Sequence, residues 1–300
     1  MRYLIFNIFI FIFFIFCSAY GDTIINNSIN FNYDDLAKRY EQIVIEAQNN
    51  KPDAQFVLST FYEEGIMVEK DTKEALKWLY ASASQGYPEA QYQLAVKYST
   101  GDGITQNLNE AYRLYLEAAN QGIPEAQNNL GIMYETGNGV PQDFKEAVKW
   151  YRSGALQGYP PTQFALGNMY FYGRGVPQNP KEGIKWYLAS ANQGYPQAQF
   201  NLGVIFANGE GVSKNLNEAY KWYRAAAEQG FLYAQNNLGL MFETGDGVPQ
   251  DFTEAAKWYR AAAEQNLPAA QCALGTLLIR GNGVETNYVD ALLSHSLINK

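Results

Sequence analysis

Cysteine and histidine are nearly absent from this chain, at two and one in 300 residues. Two cysteines exclude a disulfide-stapled scaffold, and a single histidine argues against a histidine-rich metal site. Charged residues are also sparse, at 17%, and they lack a basic excess: the formal net charge is -8. A non-specific nucleic-acid binder needs basic patches for phosphates, so that class is excluded. What the chain has instead is 47% hydrophobic residues, 15% aromatics and 26 glycines. That is too apolar for a disordered polypeptide.

The first 21 residues, MRYLIFNIFIFIFFIFCSAYG, stand apart from the rest. Arg2 gives a positive start, Tyr3 to Phe16 form an apolar run broken by Asn7, and small residues follow. This is the layout of a secretory signal peptide. Its apolar core is about 14 residues, against roughly 20 for a helix that spans a bilayer. Cleavage after Ala19 or after Gly21 fits equally. Phe16 is too large for the position before a lipid-modified cysteine, which argues against Cys17 as a lipid anchor. If the segment stayed uncleaved it would be the one part of the chain in contact with a membrane. The expectation is an exported protein, in the periplasm or envelope or outside the cell. Loss of residues 1–21 removes Arg2 and Cys17, leaving 21 basic residues, a net charge of -9 and one cysteine, Cys272. With no intramolecular disulfide possible, stability must come from packing.

Length alone suggests two domains, but the chain is periodic. The dipeptide Ala-Gln recurs from Ala54-Gln55 to Ala270-Gln271 in steps of 36 residues, with Thr162-Gln163 in the same register. Six full units and most of a seventh therefore start at residues 52, 88, 124, 160, 196, 232 and 268. A fixed period of this length predicts an all-α solenoid, whose units bury their apolar faces against one another.

Residues 124–159 show how one unit works. Pro124 suits the first turn of a helix A, and Ala126, Leu130 and Tyr134 then share one face. Gly131 and its equivalents (Ser59, Ala95, Gly167, Gly203, Gly239, Gly275) are all small, which implies that another helix passes close by. Gly137 to Pro141 make a turn. Asp143 with Glu146 reads as a capping box that starts a helix B, repeated as Asp71/Glu74, Asn107/Glu110 and onward. Helix B buries Ala147, Trp150, Tyr151 and Ala155 and stops at a left-handed Gly158, a place Asn266 takes in the sixth unit. Upstream, Asp34 to Ala47 read as an unpaired helix B that caps the array, after a flexible lead at 22–31. Downstream, Ser294 and His295 in the Trp-Tyr slots make the last helix more polar where no neighbour covers it.

The consensus P-x-A-Q-x-x-L-G-x-M-Y-x-x-G-x-G-V-P-Q-(D/N)-x-x-E-A-x-K-W-Y-x-x-A-A-x-Q-G resembles the Sel-one-like repeat, a relative of the tetratricopeptide repeat. The resemblance covers residues 52–300. It implies antiparallel helix pairs in a right-handed superhelix, and a scaffold or adaptor for other proteins.

Most remaining signals have structural readings. The Gly-x-Gly turns do not continue as G-x-G-x-x-G and follow no strand, so they are turns and not phosphate cradles. The Trp-Tyr pairs are core, and the repeated Gln is expected to satisfy loop backbone between units. His295 and Cys272 have no catalytic company. Some secreted, cysteine-rich relatives carry a β-lactamase label, which raises the alternative of an exported enzyme. The S-x-x-K and K-T-G motifs of serine β-lactamases and the cysteine pairs of those relatives are absent, so no enzyme and no cofactor are expected. A binding surface must then come from the helix A positions that face away from the core: the second, fifth, ninth and twelfth of each unit. The resemblance places that face in a concave groove. Tyr92, Phe164, Asn168, Phe171 and Phe200 are the expected centre of a groove for a protein or peptide, on a monomer. The competing reading is that these aromatics only tighten packing between units.

Overall fold

Two contacts recur in most of the described units and set the architecture: a ring of helix B pressed on a small residue of helix A, and a glutamine of helix A that reaches the preceding helix B. The computed structural model describes residues 33–281, in which the chain forms fourteen α-helices and no strand. A lone helix, α1 (Tyr33–Gln48), is followed by the pairs α2 (Pro52–Glu64) and α3 (Thr72–Ser84), α4 (Pro88–Thr100) and α5 (Leu108–Asn120), and α6 (Pro124–Thr136) and α7 (Phe144–Leu156). Then come α8 (Pro160–Tyr172) and α9 (Pro180–Ala191), α10 (Pro196–Asn208) and α11 (Leu216–Glu228), and α12 (Leu232–Thr244) and α13 (Phe252–Glu264). The last described helix is α14 (Pro268–Arg280). Even-numbered helices are the A helices and odd-numbered ones from α3 the B helices. Each packs on its sequence neighbours, B of one unit on A of the next, giving an α-solenoid. The leader, the lead at 22–31 and the residues after 281, His295 included, lie outside the described residues.

Local chemistry sets each boundary. A helices start at proline in all units but the sixth, and end at a left-handed glycine such as Gly137 (φ 74°) or Gly209 (φ 77°). B helices start at Asp or Asn, whose side chain accepts from the backbone N–H three residues on, as Asp143 does from Glu146 N at 3.2 Å. Such a cap stabilises a helix start by about 1 kcal/mol. The predicted box is only half formed. The N-cap's own N–H is taken by the preceding A helix, for example Asp143 N–H to the Tyr134 carbonyl at 2.9 Å. The glutamate therefore turns the other way, onto Lys or Arg three residues later, as Glu146 does onto Lys149 at 3.0 Å.

The small residue of helix A is explained by the tyrosine of its own helix B. A Cβ on Gly167 would lie 2.7 Å from the Tyr187 ring, and one on Gly239 would lie 2.8 Å from Tyr259. Glycine in a helix costs about 1 kcal/mol, whereas burying a large aromatic side chain returns about 1.5–3 kcal/mol, so the close approach wins. Tyr151, Tyr187 and Tyr259 are among the most completely buried side chains. The first unit places Ser59 opposite the smaller Leu79.

The repeated glutamine joins three helices. Gln127 donates from Nε2 to the Ala119 carbonyl of the preceding B helix at 3.0 Å, and its Oε1 accepts from Gln157 at the end of its own B helix at 2.8 Å. The arrangement recurs around Gln163, Gln199 and Gln235. It changes at Gln91, which donates to the Glu117 carboxylate at 2.8 Å. The side-chain amide thus satisfies helix B backbone and a second glutamine, where the sequence pattern suggests loop backbone. Gln55 makes the same bond to Ala47 at 3.1 Å, so α1 stands where the B helix of a preceding unit would be.

The second glycine of each Gly-x-Gly turn is set by the previous unit. A Cβ on Gly139 would come within 2.9 Å of Leu108 Cβ, and one on Gly247 within 2.7 Å of Leu216 Cβ, each the first residue of the preceding B helix. Gly158 and Gly230, by contrast, have nothing nearby and are needed only for their left-handed backbone (φ 88° and 87°).

Gly239→Ala should destabilise the protein by about 2 kcal/mol in urea unfolding, although helix propensity alone predicts a gain of about 1 kcal/mol. In a Tyr259→Leu background the same change should become neutral or stabilising.

Candidate binding face

The A helices of the third and fourth units, α6 and α8, touch each other directly, while no two successive B helices come as close among the described residues. The fifth residue of the A helix is aromatic in four units, as Phe56, Tyr92, Phe164 and Phe200, and is Asn128, Asn236 or Cys272 in the others. Tyr92 lies 6.1 Å from Tyr115. Phe164 sits 5.8 Å from Tyr187 and 5.5 Å from Tyr195. Phe200 sits 5.9 Å from Tyr223, 5.3 Å from Phe231 and 6.1 Å from Tyr233, ring centre to ring centre. All three are half-buried, each with one side on the B-helix tyrosine and the rest toward the A-helix surface. Contact between Phe200 and Tyr233 joins the fifth position of one unit to the second of the next.

Asn168 and Phe171 play a different part. In the third and sixth units the B-helix tyrosine donates its hydroxyl to a glutamate at the twelfth position: Tyr151 to Glu135 and Tyr259 to Glu243, both at 2.7 Å. Burial and the adjacent carboxylate both hold these two hydroxyls well above the usual tyrosine range. In the fourth unit Phe171 fills that position, and Tyr187 turns to Asn168 Oδ1 at 2.7 Å. Phe171 itself is 7% exposed, with its ring 5.9 Å from Tyr187. Room for it comes from Gly183, where a Cβ would lie 2.9 Å from Phe171 Cβ. Other units carry alanine there, such as Ala147 and Ala219. Phe171, Asn168 and Gly183 are therefore one coordinated exchange, and the signal that identifies it is glycine in place of alanine twelve residues downstream. The five proposed groove residues separate into three surface rings and two members of this packing set.

Other residues carry the exposed apolar surface of the face. Ile132 is 44% exposed, Leu240 48%, Tyr233 52% and Ile279 46%, all at the second, ninth or twelfth positions of their units. A depression of about 240 Å³ lies between the second and third units, walled by Ser99, Tyr115, Asn129 and Ile132. None of the five proposed residues lines it. Cys272 is free and exposed at the fifth position of α14. Among the described residues, no group of three or more His, Cys, Asp or Glu is placed to hold a metal ion.

The sequence pattern does not single out Lys97, a cation at a position that is apolar in every other unit. It is 9% exposed and pairs with Glu63 and with Asp102, each at 3.1 Å. Burial works against its charge, but the two carboxylates outweigh that and raise its pKa. Lysine in an otherwise apolar column is the signal that would have found it.

A model of the Sel1 repeat matches residues 52–87, 88–123, 124–159, 160–195, 196–231, 232–267 and 268–292. Among solved structures, a protective antigen of uropathogenic Escherichia coli strains that displays an SLR fold is 36% identical, with a TM-score of 0.80. The alignment covers 86% of this chain and 55% of the antigen, so the chain spans little more than half that protein's length. A Sel1 repeat protein from Oxalobacter formigenes is 31% identical, with a TM-score of 0.73, over 95% of this chain and 81% of its own. No curated protein matches the chain.

Two expectations follow. Phe171→Ala should cost about 3 kcal/mol through the cavity it leaves, whereas Leu240→Ser should change stability by less than about 0.5 kcal/mol, both read from urea melts. Alkaline titration should show a second effect. Tyrosines whose folded pKa is raised above the unfolded value of about 10 keep the proton longer in the folded state, so stability holds below that pH. It should then fall as pH rises from about 10 toward 12, where Tyr92 and Tyr87 titrate in the fold (about 12, chiefly through burial).

Proposed function

Since the chain belongs to the Sel1 repeat family, whose members generally act as protein-interaction scaffolds, we propose that it is an exported scaffold that holds a protein or peptide segment on its A-helix face. Export rests on the leader pattern of residues 1–21, and the mature protein would run from residue 20 or 22 through the lead and capping helix into seven units. Among the described residues no helix is long and apolar enough to cross a membrane. The protein would act as a monomer, with any membrane contact confined to an uncleaved leader.

The observation that carries this reading is the exposed apolar set Ile132, Tyr233, Leu240 and Ile279 on the A helices, with Tyr233 packed against the half-buried ring of Phe200. A layer that existed only to pack units together would bury such side chains. Large half-exposed aromatics with polar neighbours are where protein interfaces concentrate binding energy. Contact between α6 and α8, without comparable contact between successive B helices among the described residues, supports a face that is concave there. Seven near-identical units provide length, and the residues that differ between units provide specificity.

A photo-crosslinking amino acid at Leu240 should capture a partner in cells that export the protein, and the same group at Lys221 on a B helix should not. Phe200→Ala should lower the Leu240 capture at least several-fold at a temperature where circular dichroism shows the variant still fully folded. Equal capture from both faces would sink the groove.

A further inference from the structure

We propose that the depression between the second and third units is a socket for one phenylalanine side chain of the bound segment. This rests on the groove reading and specifies what the face grips. The socket is open because one wedge is missing. At the junction of the first and second units, the twelfth residue of helix A is Glu63. It meets Lys97, the tenth residue of the next unit, which also holds Asp102, the fifteenth, each at 3.1 Å. Between the third and fourth units Glu135 accepts from the Tyr151 hydroxyl at 2.7 Å and pairs with Arg174, again a fifteenth residue, at 3.5 Å. Between the fourth and fifth, Phe171 packs with Tyr187 and with Ile205, again a tenth residue, in one buried cluster. Between the second and third units the wedge position holds Ser99. There about 240 Å³ stays open, walled by Ser99, Tyr115 and, from the next unit, Ile132, Met133 and Asn138.

The fillings of the other junctions indicate which guest fits. Glu63 and Glu135 each meet a cation from the next unit, Lys97 or Arg174. At the open junction those two places hold Met133 and Asn138, so a carboxylate would enter without a counter-charge. Nor do the hydroxyls of the wall need a guest to bond. Ser99 donates to the Val96 carbonyl at 2.8 Å, and its oxygen then takes the Tyr115 hydroxyl at 3.1 Å.

Phe171 is the filling that these walls match. Tyr115 stands where Tyr187 does, Met133 stands where Ile205 does, and Asn129 has its counterpart in Asn201 at the junction that Phe171 fills. A thioether also gains from contact with an aromatic ring. An apolar cavity of about 150 Å³ holds benzene, so the open volume admits a phenyl group. Ile132, 44% exposed at the rim, would be covered by the arriving ring. Ala207 is the other small residue in the wedge column, and Leu216, Tyr223 and Met241 repeat the register of Leu108, Tyr115 and Met133. The same guest is therefore expected between the fifth and sixth units.

The test uses the mature chain carrying carbon-13 in its methionine methyl groups, so that Met67, Met133, Met169 and Met241 report by NMR. Titration with N-acetylphenylalaninamide should give a saturable ring-current shift at Met133 and at Met241. N-acetylalaninamide should give none at about tenfold the concentration, since it has little apolar surface to bury. Met169, at the same place in the junction that Glu135 and Arg174 fill, should not move, nor should Met67. S99F/A111G puts the Phe171–Gly183 pair into the second unit and closes the socket from inside. It should abolish the Met133 titration, while a retained Met241 response shows the chain folded. I132S, which alters only the exposed rim, should weaken the Met133 response several-fold. No saturable shift at Met133, an equal shift with the alanine amide, or an undiminished shift in S99F/A111G overturns the proposal. Photo-capture at Leu240 tests the face separately: if it persists while Met133 is silent, the groove stands and only the socket falls.

Discussion

A tyrosine ring resting on a residue with no side chain fixes the distance between the two helices of the third to sixth units, and the rest of the solenoid builds on it. With Tyr187 against Gly167 and Tyr259 against Gly239, the A and B helices come together more closely than two ordinary side chains allow. The ring then spans the unit, so its hydroxyl emerges beside the ninth and twelfth residues of helix A. In the third, fourth and sixth units those two positions supply its acceptor. Glu135 and Glu243 do so from the twelfth, and Asn168 does so from the ninth, with Phe171 in the twelfth. One core contact therefore constrains the residues that a binding surface would otherwise choose freely.

The glutamine relay does for neighbouring units what the tyrosine does within one. A buried amide unsatisfied on either side would cost about 1–3 kcal/mol, so each repeated glutamine strongly disfavours slippage of helix A against the two B helices it bonds. It is a directional constraint in an otherwise non-directional apolar core. Repetition then has a simple consequence for function. Positions shared by all units are committed to holding the array together, and under the proposed function recognition would fall to those that vary: the second, fifth, ninth and twelfth residues of the A helices.

Much of the site was legible, and the part that was not has a definite cause. Helical phase identifies which positions leave the core, and the half-buried rings of Tyr92, Phe164 and Phe200 lie where it places them. Phase treats each helix alone, however. It cannot show that Phe171 drops into the space opened by Gly183 on another helix, nor that Asn168 is held by a tyrosine hydroxyl from helix B. The capping box shows the same limit: the N-cap half depends on residues three apart, while the glutamate half lost its donor to the carbonyl of Tyr134 and its equivalents on the preceding helix.

The sequence by itself determined the period, the helix starts and stops, the small-residue contact and the all-α solenoid, because each depends on spacing within one unit and is repeated often enough to exclude accident. Only the tertiary structure decided which polar groups answer one another across units: the glutamine relay, the burial of Lys97 between Glu63 and Asp102, and the separation of surface rings from packing residues. Those outcomes depend on groups from 5 to 34 residues apart meeting at about 3 Å, and a pattern of residue types carries no information about that distance.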